Sequence, residues 1–483
     1  MGAKKPRVVI IGAGISGLAA ARRLHACAGD HVDIVVFEAG DRIGGRIFTS
    51  EFAGARVEIG ATWIHGIDGS PVYEIARKAG ALIPDDHGES GIHWERMDGF
   101  PSDSLTLAEG GTAVSTSVLH RISALFSHLK DLIASGDTGT GGMTSVGAFL
   151  RRGFNSYRAS QKEIAVDWTE EAAFAMHECA ERTYTAVDDL ESLDLAAEKE
   201  YLEFPGEHMT VPGGYSRVPE FLAAALPPSA IRLGRAVSLV EWRRSAGCEP
   251  VRVHFEDGAV EPADHAIVTV SLGVLKSGLN FSPALPDAKR RAIGRLGFGL
   301  VTKLFMELEK DDESKIPFPF LRIAFDPGRR IACIPDWIRR TESICPIHRG
   351  SRVLLAWFVG GEAAEVEKME DEEIIRGVHA TFAGVADGRK FGRITGVRRS
   401  GWGRDPRFLG SYSYVAVGSS GDDQDELAAP LPRDRSPSPP LQILFAGEAT
   451  HRTRYATTHG AYLSGVREAD RLLRHYGCQS CGS

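Results

Sequence analysis

Short β-branched runs and longer stretches with helical apolar spacing alternate along this chain, and the alternation predicts an α/β protein. Val8-Val9-Ile10-Ile11 is a buried strand; three glycines follow, then an apolar helix from Leu18 to Leu24 and a second strand, Val32 to Phe37. Leu119, Ile122, Leu125, Phe126, Leu129 and Ile133 recur at helical spacing and predict a helix over Leu119–Ser135. Further helices are expected around Gln161–Cys179, Arg217–Ala225, Asp371–Ala383 and Gly460–Tyr476. Strands are expected at Ile231–Val240, Val251–Phe255, Ala266–Val270, Val301–Leu308, Val353–Val359 and Ile443–Ala446. Ser135–Ser145, rich in Gly, Thr and Ser, and Pro430–Pro440, rich in Pro, Ser and Arg, read as loops. No internal repeat is evident.

At 483 residues the chain has ample core for two domains or one large composite, and its 43% hydrophobic and 25% charged content is ordinary for a globular enzyme. No run of 18 apolar residues suggests a membrane span. Met1 to Arg7 leads straight into the first strand, so no signal peptide is expected, and Pro6 replaces the Ser or Thr of a myristoylation signal. Seven thinly spread cysteines suggest free thiols in a reducing compartment, with the cytosol as the expected location. Cys478 and Cys481 form a lone CxxC without a second pair, and no clustered ligand spacing calls for a metal. A net charge of −8 argues against a generic nucleic-acid binder and favours a cationic ligand. The seven carboxylates of Glu362–Glu373 read as solvated helix faces, and Asp188–Glu207 is acidic as well.

The first strand, its glycine loop and Glu38 fall in register as a dinucleotide-binding unit. Gly12 permits the turn and Gly14 lets the backbone approach a pyrophosphate. Gly17 lets helix pack on strand, and the helix N-terminus at Ser16 presents N–H groups to phosphate. Glu38 ends the second strand where a ribose 2′-hydroxyl would sit, which disfavours the 2′-phosphate of NADP. Downstream, Arg42 and Arg46 flank Gly44-Gly45, a pattern that can set guanidinium forks on phosphate oxygens.

Glu38-Ala-Gly-Asp-Arg-Ile-Gly-Gly-Arg46 resembles the flavin motif of the amine oxidase superfamily, and the resemblance extends over nearly the whole chain. It implies a Rossmann-like FAD-binding domain interleaved with an α+β substrate-binding domain, with FAD held non-covalently. The implied division is 1–90, 210–300 and 395–483 for FAD, and 91–209 and 301–394 for substrate. Gly60-Ala61-Thr62-Trp63-Ile64-His65-Gly66 resembles the strip beside the isoalloxazine in polyamine oxidases, with Trp63 as an apolar wall. Val237, Gly447, Glu448 and Thr458 are implied cofactor contacts.

Lys303 interrupts a β-branched and aromatic strand, and lysines avoid such places unless paired or functional. The resemblance implies that it holds a water near flavin N5. Trp402, Tyr412 and Tyr414 match a stretch whose aromatics flank the amine being oxidised. His65 could hydrogen-bond the substrate amine, Glu178 and Glu181 a distal ammonium, and Thr457 and Thr458 line the same site. The spermine- and thermospermine-oxidising, plant back-conversion type is the nearest pattern, because Thr457 and His65 replace residues of the terminal-oxidising type.

The expected partners are a small cationic polyamine and O2, with no nucleic acid or membrane. A flavin-dependent histone-lysine demethylase is an alternative, but such an enzyme should carry a helical insertion and a nucleosome-docking domain. A monoamine-oxidase-like protein is the other; that class anchors flavin through a cysteine near its final helix, and Tyr455–Gly465 contains none.

Overall fold

The computed structural model describes residues 5–82, 104–139, 142–161, 168–242, 250–309, 318–330, 333–341, 343–348, 350–386, 389–432 and 441–478. Cys481 and most of Pro430–Pro440 lie outside these residues.

The β-branched run of the N-terminus forms the middle of a five-stranded parallel sheet. Its order is Ile443–Phe445, His265–Val268, Arg7–Ile11, Asp33–Phe37, Ile231–Arg232. Val8, Val9 and Ile10 are fully buried, as strands covered on both faces require. A second sheet, Val260–Ala263, Val251–Phe255, Val237–Glu241 and Asn280–Ser282, packs through Trp242, Val253 and Phe255 against Val9, Val35 and Phe37. Gly234, at φ +67°, breaks the continuous strand expected over Ile231–Val240 and sends its halves into different sheets.

The other large sheet has six strands: Ile394–Arg399, Val301–Leu308, Val353–Val359, Ser343–Pro346, Leu321–Ala324 and Leu105–Ala108. Helix Asp371–Val385 covers it, and Leu304, Met306, Phe358, Ile374 and Phe382 fill the space between. Ile394–Arg399 pairs with Val301–Leu308, so this sheet extends past the expected boundary at residue 395. Helices Thr116–Ser135, Val146–Ser160 and Trp168–Thr185 share a further apolar cluster around Phe126, Phe154 and Phe174. Two of the seven carboxylates of Glu362–Glu373 are not solvated. Glu367 is buried against Thr302, and Glu362 receives the guanidinium of Arg182.

The last helix, Thr458–His475, lies on the first, Ile15–Ala28, at backbone contact. A Cβ on Gly465 would stand 2.0 Å from the carbonyl oxygen of Ser16. Gly465→Ala must push these helices apart and should cost about 1–3 kcal/mol by denaturant unfolding. Gly294→Ala, on an exposed helical position with open space around its Cβ, should be neutral or slightly stabilising. Equal midpoints for the two variants would refute the close contact.

Candidate active site

The two glycine loops meet at the carboxyl end of the parallel sheet. Gly12 has φ +109°, and a Cβ on Gly17 would be 2.0 Å from Gly12 O, so neither position tolerates a side chain. Gly14 faces open space, and a Cβ on Gly45 would lie 3.2 Å from the Gly14 Cα. Gly44 N donates to Ala13 O at 2.8 Å, fastening the second loop to the first. Glu38 accepts from Ala13 N and Gly40 N, one bond to each oxygen at 2.8 Å. Each oxygen keeps lone-pair capacity for a ribose hydroxyl. Val237 begins its strand two residues after Arg235, whose N–H bonds Glu38 O.

Arg42 is not aimed at a phosphate: its guanidinium donates to the carbonyls of Ile43, Ile47 and Gly45, and its charge lies over Phe48. Burial lowers its pKa from the usual arginine value. The basic residue expected to grip the ligand instead braces the loop that approaches it. Ser16 spends its hydroxyl on Ser464 Oγ at 3.2 Å, across the helix pair.

Glu448 is buried and organises the opposite side. It accepts from Arg46 Nη1 at 3.1 Å, from the Ser413 hydroxyl and from Ala456 N at 2.8 Å. Gly447, at φ +124°, gives its N–H to Ser464 Oγ. Thr457 caps the last helix, its hydroxyl accepting from Gly460 N and donating to Arg454 O. Thr458 Oγ1 pairs with Tyr215 OH at 2.7 Å. The helix N-terminus still points a positive partial charge into the site.

Lys303 ties the two halves together. Its buried ammonium donates to Glu58 O at 2.8 Å, to Gly60 O and to Thr62 Oγ1. All three protons are therefore engaged on the strip that continues into Ala61 and Trp63. Trp402 Nε1 donates to the intervening carbonyl, Ile59 O, at 3.2 Å. The Trp402 ring is packed against Phe408 in a small buried cluster, so it supports the strip from behind and is not a wall of an open cavity. Burial pulls the Lys303 pKa down to about 8 while the Glu58 charge pulls it up. Burial in turn raises Glu58, which accepts from Thr49 and from Tyr215 N. The backbone of Lys303 is pinned by Ser400, and that of Val301 by Ser411.

Tyr412 and Tyr414 share one face of a short strand paired with Gly297–Gly299, which runs on into the lysine strand. Tyr412 OH donates to Thr183 O, and the Tyr414 ring lies on Gly297, where a Cβ would come within 2.3 Å of it. Burial raises both phenol pKa values, so both rings stay neutral. His65 is also neutral: burial, with a contribution from His208, lowers its pKa to about 4.

Glu178 and Glu181, the expected contacts for a distal ammonium, already have cationic partners, Arg151 and Lys130 respectively. Helical periodicity turns them toward neighbouring helices. Sequence reasoning passed over Glu58, His208, Tyr215 and Glu198. Glu198 accepts from Tyr455 OH at 3.1 Å, and burial pushes its pKa to about 7. Only their positions inside otherwise apolar or acidic runs marked them. Among the described residues no group of three His, Cys, Asp or Glu side chains is placed to hold a metal ion, and no described helix is long and apolar enough to cross a membrane.

A parallel sheet ending in a glycine cradle, a ribose-facing carboxylate and two helix N-termini defines a dinucleotide-binding protein. The cradle fits FAD: Gly14 leaves space for a pyrophosphate, and Glu38 keeps free lone pairs. Comparison with known proteins supplies the class. Residues 15–473 match the model of the flavin containing amine oxidoreductase family. The chain is 52% identical to Polyamine oxidase 1 of Oryza sativa subsp. japonica, over 99% of this chain and 98% of that one. It is 45% identical to Probable polyamine oxidase 5 of Arabidopsis thaliana, over 99% of each. It is 35% identical to the Peroxisomal N(1)-acetyl-spermine/spermidine oxidase of Bos taurus, over 97% of this chain and 94% of that one. The chain belongs to the flavin-containing amine oxidoreductase family, and its cofactor is non-covalently bound FAD.

Removing Glu448 leaves the Ser413 hydroxyl and the Ala456 N–H without this acceptor and leaves Arg46, which still donates to Ser411 O, without its counter-charge. Glu448→Ala should cost about 3–5 kcal/mol and release flavin on gel filtration; a variant that melts like the wild type and stays yellow would contradict the hub. Lys303 also sets a pH signature. Its folded pKa, about 8, lies below the unfolded 10.5, so between these values the unfolded chain binds more protons. Stability from this group therefore rises with pH across that window and is lost as pH falls through about 8. Lys303→Met should remove that rise, as read from urea midpoints between pH 8 and 9.5.

Proposed function

We propose that this chain oxidises polyamines, with tetraamines such as spermine and thermospermine as preferred substrates, at a carbon next to a secondary nitrogen. The products are a shorter polyamine, an aminoaldehyde and H2O2. The substrate loses a hydride from carbon and a proton from nitrogen. O2 accepts the two electrons and two protons, and water splits the resulting C=N bond. When bound, FAD supplies the two-electron acceptor between amine and O2.

The chain's own residues position and desolvate. The observation that carries the reading is Lys303, a buried ammonium strung across Glu58 O, Gly60 O and Thr62 Oγ1 on a strip resembling the flavin-side segment of polyamine oxidases. It fixes that strip against the six-stranded sheet, whose lysine strand is preceded by the short Gly297–Gly299 strand that pairs with Tyr412–Tyr414. The phenols and His65 are neutral, because burial raises the Tyr412 pKa and lowers that of His65. Apolar rings favour the uncharged amine that hydride loss requires and can still contact an ammonium farther along the chain. The relatives named as polyamine oxidases support the substrate class. The thermospermine preference rests on the Thr457 and His65 pattern, and cytosolic location on the scattered cysteines.

Anaerobic titration with spermine, thermospermine, spermidine and a monoamine tests the reading. A tetraamine should bleach the oxidised-flavin spectrum, and the products identify the bond cleaved. Lys303→Met should slow reduction or reoxidation by about a hundredfold or more. Bleaching by a monoamine or a methylated lysine peptide, with none by polyamines, would replace the proposal.

A further inference from the structure

The strip that follows Thr62 is held by a second piece of chain. Trp63–Ile64 pairs antiparallel with Met209–Thr210, in register Trp63 with Thr210 and Ile64 with Met209. His65 and His208 directly adjoin these strands in sequence. Gly66, at φ +73°, lets the backbone of Phe204 press in; a Cβ there would lie 1.8 Å from Phe204 O. Asp68 N closes the unit on Pro205 O at 2.9 Å. The two imidazoles are thus set by backbone on both sides.

They meet Nδ1 to Nδ1 at 3.2 Å, with rings 5.3 Å apart and inclined at 71°. Two facing ring nitrogens share one proton: two donors clash and two acceptors repel. The far nitrogen of His208, Nε2, faces Glu203 Oε2 at 3.6 Å, and both of these side chains reach solvent. A carboxylate there selects the His208 tautomer with hydrogen on Nε2. His208 Nδ1 is then the acceptor, His65 Nδ1 the donor, and His65 Nε2 carries a lone pair. The order is that of a base oriented by a second imidazole and a carboxylate. The other charged or titratable groups around the pair are His459 and Arg454, which accompany His65 on the inner side. His459 Nδ1 faces Ser70 Oγ at 3.2 Å, and Arg454 lies over Phe204.

We propose that His208 and Glu203 form, with His65, a proton exit that strips an incoming alkylammonium before oxidation, His208 acting as the positioning residue. The inference rests on the amine-oxidation reading above. The step balances without a redox partner. The substrate nitrogen gives its proton to His65 Nε2, and the proton on His65 Nδ1 passes to His208 Nδ1. The proton on His208 Nε2 leaves to Glu203 or water. The amine keeps its electron pair and one proton reaches solvent. Low His65 basicity makes it a conduit and not a store: burial holds its pKa at about 4, far below the value of about 10 for an alkylammonium.

The test is stopped-flow reduction of the holoenzyme flavin by spermine without O2, from pH 6.5 to 10, for wild type, His208→Leu and Glu203→Gln. Without the exit, only amine already neutral in solution reacts. His208→Leu should therefore reduce about a hundredfold more slowly than wild type near pH 7, and the deficit should shrink toward pH 10. Glu203→Gln should follow the same trend less steeply. Proton release to an indicator dye on mixing should be slowed in step with reduction. A variant-to-wild-type ratio that is constant with pH, or equal to one, overturns the exit while leaving polyamine oxidation standing. A wild-type flavin that spermine leaves oxidised at every pH overturns the substrate reading, and the exit with it.

Discussion

A buried ammonium group has to be surrounded by acceptors, and the organisation of this molecule turns on how Lys303 meets that demand. Desolvation of the charge is costly, and an apolar strand interior offers no compensation. The acceptors come from another part of the chain: Glu58 O, Gly60 O and Thr62 Oγ1. Satisfying the lysine therefore docks the six-stranded sheet onto the strip leading from the glycine cradle. Trp402 claims the one remaining carbonyl, Ile59 O, so three successive backbone oxygens are fixed by side chains from outside the strip. Lys303 is at once a positioning device and a group with a depressed pKa, because the burial that fixes it also weakens its hold on a proton.

The charged residues divide by the same logic. Arg46 and Glu448 satisfy each other near the cradle, Arg151 and Lys130 take up Glu178 and Glu181, and Arg182 neutralises Glu362. Around Lys130, burial pulls the pKa down, but Glu181, Glu198 and Glu203 outweigh it and hold the ammonium above its ordinary value. Burial first, and the charges of Glu181 and Asp194 after it, raise the Glu198 pKa to about 7, against the pull of Lys130.

The parallel sheet was legible because its pattern is local. Four β-branched residues, a glycine turn and an acid specify a βαβ unit within about forty residues. Val301–Leu308 and Val353–Val359 coincide with the apolar runs that predicted them. Lys303 stood out because a lysine inside such a run demands a reason. The misses share another cause. Arg42 and Thr457 are the residue types of a ligand site, but their partners are carbonyls and amides created only by folding. Glu178 and Glu181 stood out in their helix, yet the neutralising Arg151 and Lys130 come from other helices. Ile231–Val240 looked continuous because one glycine between apolar stretches does not announce that the chain is changing sheets. Sequence pattern reports burial well and reports the identity of the partner poorly.

Cation recognition and amine chemistry impose opposite requirements, and different residues meet them. An ammonium is attracted by carboxylates, but hydride loss needs the nitrogen uncharged. The carboxylate of Glu198 lies with Tyr455 and Lys130, and Glu203 reaches from Lys130 toward His208, whereas His65 and His459 have pKa values pulled down by burial and the phenol of Tyr215 is pushed up by it. A polycation meeting both sets of residues would keep its charge on the first and shed a proton at the second. Desolvation is the largest cause of each shift: it disfavours imidazolium and phenolate, and it would disfavour a protonated secondary amine buried among them. The apolar strip that makes the structure stable is thus also what makes its chemistry possible.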